Sequence, residues 1–139
     1  MSQENVEAVR RAYEAWNSGD ADGLYDVHHP DVIAHYPEGW PEGGPFVGRE
    51  AVVGQLQAMR DAWGDTNRAE AITDFVDAGD RVVARFVWRG EGHGPAFALE
   101  GSAVYTLRNG KIFVIEYFMN HAAALEAVGL SEQDAHADS

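Results

Sequence analysis

The sequence predicts an α+β fold, in which helices pack on one face of a curved antiparallel sheet. Three observations lead to this prediction. Apolar residues recur at helical spacing in the first half of the 139-residue chain, and β-rich runs separated by turns fill the second half. The dipeptide Asn109-Gly110 then separates two of these runs. Asn-Gly favours the two-residue turn of a hairpin because both residues tolerate a positive φ.

Three helices are predicted in the first half. The first begins at Ser2 and ends at Gly19, a residue suited to the left-handed position that follows a helix. Its apolar residues recur every three or four positions and are Val6, Val9, Tyr13 and Trp16. A short second helix is capped by Asp20 and ends before Pro30. A third helix runs from Arg49 to Trp63.

Five strands are predicted around these helices. Val32–Tyr36 lies between the second and third helices and leads into a loop rich in Pro and Gly, which holds Trp40. The other four strands form a meander and are Glu70–Asp77, Arg81–Arg89, Ala96–Arg108 and Lys111–Met119. A last helix spans Ala122–Val128. We therefore expect a single domain over residues 1–130 and a polar tail over residues 131–139.

The composition restricts the class of function. The chain has 23 acidic and 10 basic residues and a net charge of −13, whereas nucleic acids and anionic membranes both select basic partners. We therefore expect neither as a partner. The chain has no Cys, and its six His lack metal-ligand spacing, so they are interpreted as solvated or capping residues and no metal or cofactor is predicted. The polar start of the chain and its lack of long apolar runs predict a cytoplasmic protein.

The predicted strands are apolar on both faces of the sheet. In the strand Arg81–Arg89, one face consists of Val82, Ala84, Phe86 and Trp88. The helices can cover only one side of the sheet, so large apolar residues on the other side require a cavity or a partner chain. We therefore expect a homodimer joined through the outer face of the sheet.

The order of these elements resembles the nuclear transport factor 2-like superfamily, and within it the SnoaL-like, polyketide cyclase-like group. The matching segments are Tyr13–Asp20, Gly48–Ala51, Ala78–Val82, Asn109–Ile112 and Glu116–Phe118. The resemblance implies a cone-shaped α+β barrel, with three N-terminal helices on a curved, mostly antiparallel sheet that encloses an apolar pocket. It leaves the chemistry open, because the superfamily includes isomerases, cyclases, dehydratases, epoxide hydrolases and binding domains.

A more distant resemblance, to ketosteroid isomerase, concerns the first helix. Tyr13 occupies the position of the tyrosine that donates to an oxyanion in that group. Tyr36 and Val104 stand where the group has two carboxylates, so its proton shuttle is not expected here. Tyr13 is alternatively a core aromatic residue of an amphipathic helix.

A second distant resemblance is to limonene epoxide hydrolase, whose meander has an Asp–Arg–Asp group. Arg85 and Glu116 match two members of that group, whereas Val87 replaces the carboxylate expected to act as the acid. His35 lies near the position of a water-orienting Asn, and an imidazole can exchange a proton near neutral pH.

Glu116, Arg85 and His35 are therefore the predicted catalytic residues. Glu116 interrupts an otherwise apolar strand, and a buried carboxylate is costly unless it has a partner or a function. We expect Arg85 to be its partner and His35 to be the second proton-handling group. The alternative is a structural ion pair of Arg85 with Glu116, since strict alternation groups Arg85 with Arg89 on an outward face.

We predict that the chain is a small-molecule pocket protein with cofactor-independent acid–base activity on an apolar, oxygenated substrate. The predicted substrate-binding residues are Tyr13, Trp16, Tyr36, Trp40, Met59, Trp63, Val87 and Phe118. One alternative is a non-catalytic domain that binds a hydrophobic ligand, and another is an epoxide hydrolase-like enzyme with an altered triad. A third is an interaction module in which the aromatic side chains fill the cone.

Overall fold

Four helices and seven strands form within the described part of the computed structural model, which comprises residues 2–37, 44–63, 68–71, 75–90 and 97–130. The helices are α1 (Ser2–Ser18), α2 (Ala21–Val27), α3 (Arg49–Trp63) and α4 (His121–Ala127). The strands are β1 (His28–His35), β2 (Phe46–Val47), β3 (Arg68–Ala71), β4 (Val76–Ala78), β5 (Arg81–Gly90), β6 (Phe97–Arg108) and β7 (Lys111–Phe118). No helix in these ranges is both long enough and apolar enough to cross a bilayer.

The predicted order of helices and strands is confirmed, except that β2 was not predicted. Asp20 caps α2 as expected, because its Oδ1 accepts a hydrogen bond of 2.9 Å from the Gly23 backbone. The first strand begins at His28 rather than Val32, since the backbone is already extended directly after α2. The single strand expected over Glu70–Asp77 is described as two strands, β3 and β4, which both pair with β5.

The sheet has the order β2-β1-β7-β6-β5-β3, and β4 pairs with β5 beside this path. All pairs are antiparallel except β1 with β7, which confirms a mostly antiparallel sheet. Helices α1, α2 and α3 contact its inner face. The structure is therefore of the predicted α+β class.

The hairpin between β6 and β7 has the predicted turn, followed by an irregularity that was not predicted. Asn109 and Gly110 have φ values of 54° and 76°, as the two-residue turn requires. Leu107 then pairs with Ile112, whereas Thr106 pairs with Val114, so one extra residue lies in β7. This bulge reverses the alternation of side chains. Ile112 therefore lies on the buried face of β7, together with Ile115 and Tyr117. Val114 and Phe118 lie on the opposite face.

The outer face of the sheet is partly covered by the chain itself. A separate apolar cluster joins Val83 and Val104 of the sheet to Ala124 and Leu125 of α4, with Phe118 packed against it. The expectation that helices reach only one side of the sheet is therefore wrong, because α4 lies across the outer side. The homodimer remains a prediction that concerns the part of the outer face beyond α4.

Candidate functional site

A cavity of about 40 Å³, partly open to solvent, lies between the helices and the inner face of the sheet. Its wall is mainly aromatic and includes Tyr13, Trp16, Phe86, Trp88, Tyr105 and Tyr117. A buried water needs roughly 10–15 Å³, so the cavity holds a small polar group with a few carbon atoms rather than a whole ring system.

The periodicities of helix and strand bring these aromatic residues together. Tyr13 and Trp16 are three residues apart on α1 and therefore share its inner face. Phe86 and Trp88 alternate along β5, with their side chains on the same face of the sheet. The rings of Trp16 and Trp88 stack with centroids 6.0 Å apart, which closes the helix against the sheet.

Two phenols, the buried Tyr105 and the half-buried Tyr13, form a hydrogen-bonded pair in the cavity wall. The hydroxyl of Tyr105 donates to the hydroxyl of Tyr13 over 3.0 Å. Burial raises the pKa of both residues well above the usual value for tyrosine. Both side chains are therefore neutral hydroxyls, able to donate hydrogen bonds, at every pH near neutrality.

A second tyrosine pair adjoins the first. The rings of Tyr36 and Tyr117 stack with centroids 4.7 Å apart. Burial is the main reason that the pKa of Tyr117 is raised, and its contact with Tyr36 acts in the same direction. The structure thus collects four tyrosines from two strands, one helix and a loop around one apolar site.

His28 is a buried residue of the cavity wall that the sequence did not indicate as a site residue. Only 1 % of its surface is exposed, and its Nδ1 lies 2.6 Å from the Leu24 carbonyl oxygen. Burial lowers the pKa of His28, the contact with the Leu24 carbonyl partly opposes this, and the charge of Arg49 lowers it further. A local pattern could have indicated its burial. His28 follows Leu24 by four residues, and its side chain therefore continues the buried face of α2.

The stability of the chain is expected to fall in mild acid because of His28. The unfolded imidazole titrates near a pKa of about 6.5, whereas the folded ring resists protonation, so the unfolded state binds more protons below that pH. The free energy of unfolding should therefore decrease as pH falls below about 6.5, by up to about 1.4 kcal/mol per pH unit for this group. Above that pH, its contribution is fully present.

Urea unfolding at several pH values measures this slope. His28→Gln should flatten it, because the glutamine side chain does not titrate. Equal slopes in the wild type and in His28→Gln would contradict the assignment.

The predicted pairing of Arg85 with Glu116 is wrong. Arg85 Nε donates to Glu100 Oε1 over 2.8 Å, because the β5–β6 register places Glu100 next to Arg85 on the same face. Strand β6 separates β5 from β7, the strand that carries Glu116. Both members of the Arg85–Glu100 pair are partly exposed, so it contributes little stability.

None of the three predicted catalytic residues lines the cavity. Arg85 lies between inward-facing residues of β5, and Glu116 lies between Ile115 and Tyr117, which face the cavity. Strand alternation therefore directs both side chains to the outer face. His35 is the register partner of Glu116 in the β1–β7 pair and is also outside the cavity. A catalytic role for these residues would need a site on the outer face.

The predicted substrate-binding residues fall into three groups. Tyr13 and Trp16 line the cavity, and Tyr36 packs against one of its wall residues. Met59 is buried in the core beside the cavity, whereas Val87 and Phe118 belong to the outer face, so the expectation that they line the pocket is wrong. Trp40 and the side chain of Trp63 lie outside the described residues.

Two further observations concern polar groups. The indole N–H of Trp16, a wall residue, is buried and has no hydrogen-bond partner among the described residues. Among the same residues, no group of three or more His, Asp or Glu side chains is arranged to hold a metal ion. The polar groups of the cavity wall are therefore phenols, an imidazole and an indole.

Solved structures share this architecture. Bal32a from a soil-derived mobile gene cassette is 26% identical, with 84% of this chain and 88% of Bal32a covered and a TM-score of 0.77. TerC, co-crystallised with polyporic acid, is 26% identical over 90% of this chain and 98% of TerC, with a TM-score of 0.72. A loop-truncation variant of IdmH is 29% identical over 90% of this chain and 99% of that chain, with a TM-score of 0.69.

The sequence itself also matches a family model. No curated protein matches the chain. The model of the SnoaL-like domain matches residues 9–115, which include the second half of α1, the cavity wall as far as Ile115 and most of the meander. The chain therefore belongs to the SnoaL-like domain family of the nuclear transport factor 2-like superfamily.

Proposed function

We propose that the chain binds a small, largely apolar molecule bearing a carbonyl oxygen, and acts on it by acid–base chemistry without a cofactor. The observation that supports this most directly is the Tyr13–Tyr105 pair in the aromatic wall. A hydrogen bond between two hydroxyls uses one of their two protons. The second proton is left for an oxygen atom of a ligand.

The surroundings of this pair favour chemistry at a carbonyl group. Fixed hydrogen-bond donors in a water-poor site stabilise negative charge that develops on an oxygen atom. The aromatic wall selects an apolar body, whereas the phenols select one oxygen. The cavity accommodates the carbonyl end, and the remainder of the ligand occupies its open side. TerC, which has a similar structure, was co-crystallised with polyporic acid, and this supports a small-molecule ligand for the chain.

Binding of a matched pair of probes tests this proposal. Cyclohexanone and methylenecyclohexane have nearly the same shape, but only the ketone accepts a hydrogen bond. Their binding should change the fluorescence of Trp16 and Trp88, which line the cavity. Tyr13→Phe should weaken cyclohexanone binding about threefold to tenfold, the loss of one hydrogen bond, and leave methylenecyclohexane binding unchanged. Failure of both probes to bind the wild type would contradict the proposal.

A non-catalytic binding domain is the second candidate function. It is favoured by one observation: among the described residues, no Asp or Glu lines the cavity. Such a domain would bind cyclohexanone with the same dependence on Tyr13 but would not accelerate its enolisation.

We also propose that the chain forms a homodimer through the outer face of the sheet beyond α4. Val47 of β2 has 65% of its surface exposed, and the strand register places it beside Ile33 of β1, which in turn pairs with Val114 of β7 on the same face. Sedimentation at micromolar concentration should give a dimer. Val47→Lys should shift it towards the monomer, because a charge in an apolar interface is poorly solvated. Monomers alone in the wild type would contradict this proposal.

A further inference from the structure

His28 combines burial, a position in the cavity wall and a fixed ring orientation. Apart from tyrosine and tryptophan, only two buried side chains among the described residues are polar, His28 and Ser102, and His28 is the one that lines the cavity. Its position follows from the end of α2, where the chain turns directly into β1. The ring therefore extends from the last turn of a helix into the aromatic site.

The contact with Leu24 determines which ring nitrogen carries the proton. The Leu24 carbonyl oxygen can only accept a hydrogen bond, and it lies 2.6 Å from Nδ1 of His28. Nδ1 must therefore donate and carry the hydrogen. Burial and the nearby Arg49 keep the ring neutral, since both lower the pKa of His28. The lone pair is then on Nε2, for which no partner occurs among the described residues.

We propose that Nε2 of His28 is the proton acceptor of this site. This inference rests on the proposed function. It adds a base to the phenol donors, which by themselves only bind and polarise an oxygen. Tyr13 and His28 line the same cavity, so one ligand can contact both.

The reaction step is balanced within the site. Nε2 removes a proton from the carbon next to the carbonyl group, and the electrons of the C–H bond form a C=C bond. The electron pair of the carbonyl π bond moves to the oxygen, which accepts a hydrogen bond from the Tyr13–Tyr105 pair. The imidazolium then returns the proton to the same carbon or, in an unsaturated ketone, to a carbon further along. The net result is proton exchange or isomerisation, and neither needs an oxidant or a cofactor.

A structural role for His28 as a helix cap is the alternative, since an imidazole near a helix C-terminus can satisfy a terminal carbonyl oxygen. Both roles require Nδ1 to donate to Leu24, but only the proposed role uses Nε2. Nitrogen-edited NMR of the wild type should show His28 as the neutral Nδ1–H tautomer at pH 7. A proton on Nε2, or a charged ring, would overturn the inference and leave the proposed function intact.

Exchange of the α-protons of cyclohexanone in D₂O, followed by proton NMR, tests the chemistry. The wild type should accelerate exchange. His28→Gln, which keeps an N–H for Leu24 but has no basic nitrogen, should lower that acceleration on the order of 10²–10⁴-fold. Its cyclohexanone affinity should stay within about threefold of the wild type, because the phenols are retained. His29→Gln changes the neighbouring histidine, which does not line the cavity, and is the matched control that should leave exchange unchanged.

The outcomes separate the two proposals. Cyclohexanone binding with equal exchange in the wild type and in His28→Gln would overturn the role of His28 and leave the binding pocket in place. Lower stability of His28→Gln with equal exchange would identify His28 as a cap only. No cyclohexanone binding to the wild type would instead overturn the proposed function, and the inference with it.

Discussion

Tyr13→Phe should lower the rate at which the chain converts 3-cyclohexen-1-one to its conjugated isomer by roughly 10²–10³-fold. The substitution removes one hydroxyl and leaves the ring, which packs against Phe75, Phe86 and Tyr105. The loss arises because a fixed donor in a water-poor site stabilises the enolate more than it stabilises the ketone. The fall should therefore appear mainly in kcat, whereas KM should change by less than about tenfold. The absorbance of the conjugated product measures both.

Tyr25→Phe is the matched control for this prediction. Tyr25 belongs to α2 and packs under the Arg49 guanidinium, 3.9 Å from its ring centroid, but it does not line the cavity. The control should keep the rate of the wild type. Tyr105→Phe should lower the isomerisation rate by an intermediate amount. Tyr105 acts on the ligand either through its hydrogen bond to Tyr13 or by donating to the ligand in place of Tyr13. Equal rates for Tyr13→Phe and the wild type would contradict a role for the phenol pair in catalysis.

The elements of the fold could be predicted because their signals are local. Helical spacing in α1, the Asp20 cap and the Asn109-Gly110 turn each act over a few residues. The parallel pairing of β1 with β7 joins segments far apart in the sequence, and no local pattern specifies it. The position of α4 against Val83 and Val104 is likewise a tertiary contact.

The site was harder to predict because it depends on register. A one-residue shift reverses the face of every later side chain in a strand, and the bulge in β7 is such a shift. The partner of Arg85 depends on the register of β5 against β6, which pairs Arg85 with Ser102 and so brings Glu100 close. The burial of His28 depends on where α2 ends and how β1 packs. Charge and residue type suggested Glu116, Arg85 and His35, whereas topology placed phenols and His28 at the cavity.

The two faces of β5 should differ sharply in their contribution to stability. Phe86 is 2% exposed, and its ring lies 5.4 Å from that of Trp88 and 6.2 Å from that of Tyr117. Phe86→Ala should therefore lower the free energy of unfolding by about 3–5 kcal/mol, through lost burial and a larger cavity. Val87→Ala, on the next residue and the opposite face, should cost clearly less, because Val87 is only half-buried.

The enlarged cavity provides a second measurement for the same variant. Phe86 lines the existing cavity, so its truncation should join the new space to the old and admit a whole benzene ring. Benzene should then raise the melting temperature of Phe86→Ala more than that of the wild type, because a ligand that binds only the folded state stabilises it. If Phe86→Ala does not fold, Phe86→Leu leaves a smaller cavity and permits both measurements. A loss below 1 kcal/mol in Phe86→Ala, or no difference from Val87→Ala, would show that the inner face of β5 does not form the cavity wall.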